Sequence, residues 1–365
     1  MPTSYVNATI FTGEVLLKNH AVNVDNGLIT SIVPTEEVND NHEIIDLKGA
    51  YMAPALVDLQ VYGGNGQVFS LYPSVKSLKA TYEACKKGGA AYFMPTVATI
   101  SDDIVLDAIR AVRAYWEKGG KGVLGLHLEG PFINPVKKGA HRPEYIRKPT
   151  QEDIDMILEN EDVVKMITLA PECCDSALVK QLQDAGIIIY AGHSNATYGE
   201  AYTAFQNGIH HATHLFNAMS PLESRAPGLV GAIYDHPSVY ASIVADGIHV
   251  DFAAVRISKK IMGNRLYLIT DAVEENKEGD FYIYLKEKDR FVNDAGVLAG
   301  SRLTMLQAVR NCAKNKVCSM REAIRMASLY PAQALGLENR IGRIAPGCEA
   351  SFLVIPENGE TVVYC

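Results

Sequence analysis

Eight apolar runs recur along this chain, at 55–61, 91–97, 123–128, 163–169, 187–191, 209–214, 240–245 and 266–270, and stretches with helical periodicity separate them. Short apolar runs bounded by turn signals fit strands buried on both faces, and their alternation with helices predicts βα units. Glycines in Lys87-Gly88-Gly89 and Asp184-Ala185-Gly186 sit where the intervening helices should stop. Eight such units predict a closed (β/α)8 TIM-like barrel, an α/β fold.

The two chain ends read differently. Residues 5–50 form short β segments without a long amphipathic helix, and Asp25-Asn26-Gly27 between Ala21-Val24 and Leu28-Val33 is a hairpin signal. After a helical pair around 302–335, the stretch from Gly347 to Val354 and the stretch Thr361-Val362-Val363-Tyr364 return to β character. The ends are expected to build one small β-sandwich domain, residues 1–53 with 340–365, beside a catalytic barrel at 54–339. There is no internal repeat and no low-complexity tract.

A chain of 365 residues is long enough for that arrangement, and 48% hydrophobic residues supply its core. The net charge of −8 argues against a nucleic-acid partner, because a phosphate backbone selects basic surfaces. It leaves room for one local cationic pocket that takes a small phosphorylated ligand. The seven cysteines are odd in number, scattered and free of C-x2-C pairs, which fits a reduced, cytoplasmic setting. Met1-Pro2-Thr3-Ser4-Tyr5 lacks the basic and apolar segments of an export signal, and no run has the length of a membrane span, so no membrane partner is expected.

Barrel enzymes carry their chemistry at the C-terminal ends of the strands. Here those ends hold Gln60, Glu129, His193, His214, Asp246 with His249 just beyond, and Asp271. Glu129 alone could be a salt-bridged or helix-capping residue, and His193 alone a satisfied structural imidazole. Within His210-His211-Ala212-Thr213-His214, both His211 and His214 compete as ligands. Two imidazoles and one carboxylate around an open position make a catalytic site for Zn2+ or a similar divalent ion. Asp271, a lone carboxylate at the last strand end, is placed to move a proton; its bland alternative is a buried aspartate capping a loop.

Taken in order, these motifs resemble the N-acetylglucosamine-6-phosphate deacetylase family of the amidohydrolase superfamily, over essentially the full length. The matches run from His127-Leu128-Glu129-Gly130-Pro131-Phe132 through Lys137-Lys138-Gly139-Ala140-His141, Ala191-Gly192-His193-Ser194 and Thr213-His214-Leu215-Phe216-Asn217-Ala218-Met219. They continue with Arg225-Ala226-Pro227-Gly228, Asp246-Gly247-Ile248-His249, Thr270-Asp271-Ala272 and Leu298-Ala299-Gly300-Ser301. The resemblance implies that Glu129, His193 and His214 hold the metal and that Asp271 is general base and then general acid. It implies that Arg225 and His249 meet the sugar 6-phosphate. Ala140, His141, Asn217, Ala218, Leu298, Ala299, Gly300 and Ser301 would line the sugar pocket, with Gln60 in the substrate-binding set. Arg225 would reach in from a neighbouring subunit, which implies a homodimer.

Asp58-Leu59-Gln60 stands where the wider superfamily has a His-x-His pair, so the resemblance implies one divalent ion per subunit, Zn2+ first, with Fe2+, Mn2+ and Co2+ as alternatives. Pro54-Ala55-Leu56-Val57-Asp58 and Val61-Tyr62-Gly63 replace the more usual Pro-Gly-Phe-Ile-Asp and an asparagine before the glycine, departures that touch acyl-group preference. Two other readings stand beside this one: an amidohydrolase acting on a cyclic amide or nucleobase, and a non-catalytic assembly protein that keeps the barrel.

Overall fold

The computed structural model describes residues 1–277, 282–358 and 360–365. All eight apolar runs are strands: β1 Leu56–Val61, β2 Ala90–Ala98, β3 Leu126–Glu129, β4 Val164–Leu169, β5 Ile188–Ala191, β6 His211–Ala212, β7 Tyr240–Val244 and β8 Leu266–Ile269. They pair in sequence order, every neighbour parallel. The last strand returns to the first: Val61 and Ala272 form a parallel bridge, and Asp271 N donates to Gln60 O at 3.0 Å. Asp58, buried on β1, strengthens this seam by accepting from Thr270 N at 3.1 Å and from Thr270 Oγ1. The sheet is thus closed into a barrel, which leaves it without exposed edges.

Seven helices cross between the strands: α1 Val75–Lys87, α2 Asp102–Glu117, α3 Gln151–Leu158, α4 Ser176–Asp184, α5 Tyr198–Gln206, α6 Gly228–Asp235 and α7 Phe252–Met262. Their starts are set by side chains that satisfy orphan backbone N–H groups. Ser74, Thr150 and Thr197 each form a reciprocal capping box, with Ser77, Asp153 and Glu200. Because helices cover the outer face, β1 and β2 are buried at every position. That double burial is why these strands read as unbroken apolar runs.

The chain ends form two further sheets, of which only the five-stranded one draws strands from both ends. A four-stranded sheet runs Leu28–Pro34, His20–Asp25, Thr3–Val6, Glu43–Asp46, and a five-stranded sheet runs Val362–Tyr364, Phe352–Ile355, Tyr51–Pro54, Thr9–Phe11, Leu16–Leu17. One small core joins them, with Val22 and Ile29 from the first sheet against Ile10, Met52 and Phe352 from the second. Asn26 and Gly27 both take positive φ, the conformation that a two-residue hairpin turn needs.

Two features depart from the sequence reading. The region after β8 contains a small antiparallel sheet, Leu285–Lys286, Arg290–Val292 and Leu298–Ser301, where no element was expected. The expected helical pair is three helices: α8 Met305–Lys314, α9 Met320–Ala327 and α10 Leu329–Ala334. The break at Ser328, whose backbone leaves the helical region, lies three residues before Pro331, which has no N–H to continue a helix. Among the described residues, no helix is long and apolar enough to cross a membrane.

Candidate active site

The strand ends open into a pocket of about 170 Å3 lined by Glu129, His141, His193, His214, His249 and Asp271, with Ala140, Asn217, Ala218, Leu298, Ala299 and Gly300. Three of its residues leave their strands in the left-handed backbone region: His193 at φ 47°, His214 at φ 34° and Asp271 at φ 53°. Such a backbone costs about 1–3 kcal/mol at a non-glycine residue and persists only where its surroundings over-determine it. They do so here. His193 O accepts from Asn134 N at 2.9 Å, His214 N donates to Ser242 Oγ at 2.8 Å, and Asp271 is held from both sides, by Gln60 O and by Ser301 N. The chain turns sharply at each strand end and brings the side chain over the barrel mouth.

One ligand atom from each of Glu129, His193 and His214 lies within 4.8 Å of the others, and all three residues are buried. His193 Nδ1–H donates to Lys137 O at 2.9 Å, so its Nε2 carries a lone pair. That lone pair points at His214 Nε2, 3.1 Å away, and at Glu129 Oε1, 3.3 Å away. His214 Nε2 is 3.0 Å from the same oxygen. Three atoms that share at most one proton converge in a buried space, an arrangement that a cation satisfies and water-excluded protein alone does not. The donor set, two neutral imidazoles and one carboxylate, fits Zn2+ and related divalent ions. His211, the other imidazole of its segment, is absent from this cluster: it stacks between Tyr190 and Tyr240. Burial pushes it down to about 3, which keeps it neutral.

Electrostatics separate the two carboxyls. Burial pushes Glu129 up, but the neighbouring His141 imidazole and the hydrogen bond it donates outweigh that and hold the carboxyl well below the usual carboxylate range. Asp271 is pushed well above it, by burial first and then by the charges of Glu129, Asp58 and Asp246. Two carboxyl groups with opposed shifts in one pocket suit one as a permanent anion and the other as a proton carrier. The amide of Gln60 bridges them: its Nε2 lies 2.8 Å from Glu129 Oε1 and 2.9 Å from Asp271 Oδ1.

The remaining sequence candidates fall into three positions. Ala140, His141, Asn217, Ala218, His249 and Leu298 to Gly300 line the pocket. Gln60 and Ser301 are fully buried behind it; Ser301 Oγ donates to Thr270 O and accepts from Leu303 N, tying the added sheet to β8. Arg225 is exposed on the loop before α6 and lines no part of its own chain's pocket. The pocket also contains Tyr282 and Tyr284, which the sequence reading missed. Their rings stack at 5.8 Å, and Tyr282 Oη donates to Thr99 O at 2.6 Å. The alternation Tyr282-Ile283-Tyr284 is the one sequence signal that could have marked them.

A parallel barrel with a carboxylate and two imidazoles converging over its C-terminal mouth defines the class, a metal-dependent hydrolase. Known proteins agree. An amidohydrolase family model matches residues 51–363, and a NagA composite domain model matches residues 4–52. N-acetylglucosamine-6-phosphate deacetylase of Haemophilus influenzae is 37% identical, over 99% of this chain and 97% of that protein. The crystal structure of N-acetylglucosamine-6-phosphate deacetylase from Pasteurella multocida is 35% identical with a TM-score of 0.94, covering 99% of this chain and 97% of that one. A mutant of the Mycobacterium smegmatis enzyme, solved in complex with N-acetyl-D-glucosamine-6-phosphate, is 27% identical with a TM-score of 0.87, covering 98% and 95%. The chain belongs to the N-acetylglucosamine-6-phosphate deacetylase family of the amidohydrolase superfamily.

Proposed function

We propose that this protein hydrolyses N-acetyl-D-glucosamine 6-phosphate to D-glucosamine 6-phosphate and acetate, with one divalent ion per subunit held by Glu129, His193 and His214. The observation that carries the reading is the Gln60 bridge, which sets the proton-carrying Asp271 beside the candidate metal donors. Bound there, a divalent ion supplies Lewis-acid polarisation of the amide carbonyl and a lower pKa for water. Asp271 takes the proton of the attacking water and returns it to the departing sugar nitrogen.

His249, aligned by Asp246, and Arg225 hold the 6-phosphate away from the scissile bond and keep the amide in register. Ala140, His141, Asn217, Ala218 and Leu298 to Gly300 hold the sugar. The exposure of Arg225 outside its own pocket supports a homodimer in which it crosses to the partner's site. Zn2+ is the first candidate ion, then Fe2+, Mn2+ and Co2+. Seven unpaired cysteines support a cytoplasmic location.

The test is acetate release from N-acetylglucosamine with and without the 6-phosphate, and from the galacto epimer, with each of the four ions added to metal-free protein. Metal-dependent release that requires the phosphate is expected. Equal turnover of the unphosphorylated sugar, or preferential hydrolysis of a cyclic amide, overturns the assignment.

A further inference from the structure

Tyr62 follows directly on β1, at one of the positions where the resemblance implies a different residue, and it lines the pocket. Its hydroxyl donates to Glu129 Oε2 and lies 2.8 Å from Gln60 Nε2. The backbone beneath it has little freedom: Tyr62 N donates to Ala272 O at 2.9 Å, and Tyr62 O accepts from Ser70 N at 3.0 Å. A Cβ on the next residue, Gly63, would stand 2.2 Å from Gln67 O, so the tight turn that fixes this backbone tolerates only glycine.

The second donor to the same oxygen is also fixed. Thr99 N donates to His141 Nδ1 at 3.3 Å, which places the proton of that neutral ring on Nε2. His141 Nε2 lies 3.2 Å from Glu129 Oε2. A carboxylate oxygen has two in-plane lone pairs, and both of those on Oε2 are therefore occupied. Oε1 takes one hydrogen bond from Gln60 and directs its other lone pair toward His193 and His214.

We propose that Tyr62 is a positioning residue that divides the labour of the Glu129 carboxylate, tying Oε2 to the protein so that Oε1 alone is offered to a single divalent ion. The inference rests on the metal reading given above. Without the Tyr62 hydroxyl, Oε2 gains an open lone pair and the carboxylate can rotate, which costs the site its preorganisation.

The experiment titrates metal-free wild-type protein, Tyr62→Phe, Glu129→Gln and the double variant with Zn2+ against a chromophoric chelator. The melting temperature of each metal-free protein is recorded alongside. Tyr62→Phe keeps the ring and removes only the hydroxyl. It should melt like wild type without metal and bind Zn2+ about 10- to 100-fold more weakly, the usual loss when a partner behind a metal ligand is removed. In the Glu129→Gln background the same change should add little, because its effect passes through Glu129. Wild-type affinity in Tyr62→Phe, or the same factor lost in both backgrounds, overturns the assignment. So does a metal-free Tyr62→Phe protein that melts well below wild type, since the residue would then be structural. A wild-type protein that takes up no Zn2+ overturns the metal reading and this inference with it.

Discussion

Asp246 grips His249 at two points: Oδ2 lies 2.6 Å from the Nδ1 of the ring, and Oδ1 accepts from the His249 backbone N–H at 2.8 Å. The carboxyl is pushed up by burial, but its bonds with His249 and Ile248 outweigh that and keep it ionised. With Nδ1 committed to Asp246, only Nε2 is left to meet a ligand in the pocket.

If His249 holds the 6-phosphate, Asp246 and His249 act as one unit. His249→Ala should lower kcat/KM for the phosphorylated sugar roughly 10- to 150-fold, the range for losing a charge-assisted hydrogen bond. Asp246→Ala should cost a similar factor, and the double variant little more than either alone. Losses that multiply in the double variant would show the two residues to be independent.

Metal content is the second test. Wild-type protein purified without chelator should carry one divalent ion per chain by plasma mass spectrometry, and His193→Ala or His214→Ala should lose both the ion and turnover. Because an ion that binds only the folded state stabilises it, chelation should also lower the melting temperature. Two ions per chain, or turnover retained without His193, would contradict the proposed ligand set.

Asp271→Asn separates proton transfer from metal binding. The amide keeps the shape of the side chain and can still pair with Gln60 but cannot carry a proton. Activity should fall about 10²-fold or more while metal content stays near normal. A variant that emerged metal-free would place Asp271 among the ligands.

Arg225 tests the shared site. Arg225→Ala should lose roughly 10- to 150-fold in kcat/KM on the phosphorylated sugar and far less on the unphosphorylated one. Mixing it with Asp271→Asn rebuilds one complete site in each mixed dimer. Random reassortment of equal amounts makes about half of the dimers mixed, so activity should recover to about a quarter of wild type. Verified mixed dimers that give only the average of the two separate pools would show that Arg225 serves its own subunit.

The barrel is legible in the sequence because its strands are buried on both faces, which leaves apolar runs that no polar alternation interrupts. β6 is the weakest of these. Its run at 209–214 shortens to His211–Ala212 because the chain turns into the left-handed region at His214. The added sheet at 285–301 escaped detection for a related reason, as strands of two to four residues carry no measurable period. Spacing could rank neither His211 nor His214 as the ligand; the fold holds His211 in an aromatic stack and brings His214 Nε2 to 3.0 Å from Glu129 Oε1. Gln60 was marked by what it replaces, yet its contacts are 69 and 211 residues away in the chain, beyond the reach of any local pattern. Tyr62 was visible as a departure, and its bond to Glu129 was not.

The closure of β1 on the region after β8 also sets an order of events during synthesis. Asp271 finds its backbone partner on Gln60, so a ribosome must release almost three-quarters of the polypeptide before the two carboxyls can share their amide bridge. The sandwich waits longer still, because Tyr51–Pro54 pairs with Phe352–Ile355 near the opposite terminus. Until then the first fifty residues expose half of a core whose other half has not been made. A prematurely ended chain therefore has neither a site to work with nor a finished amino-terminal unit to hide its apolar face, and it becomes a substrate for chaperones and proteases.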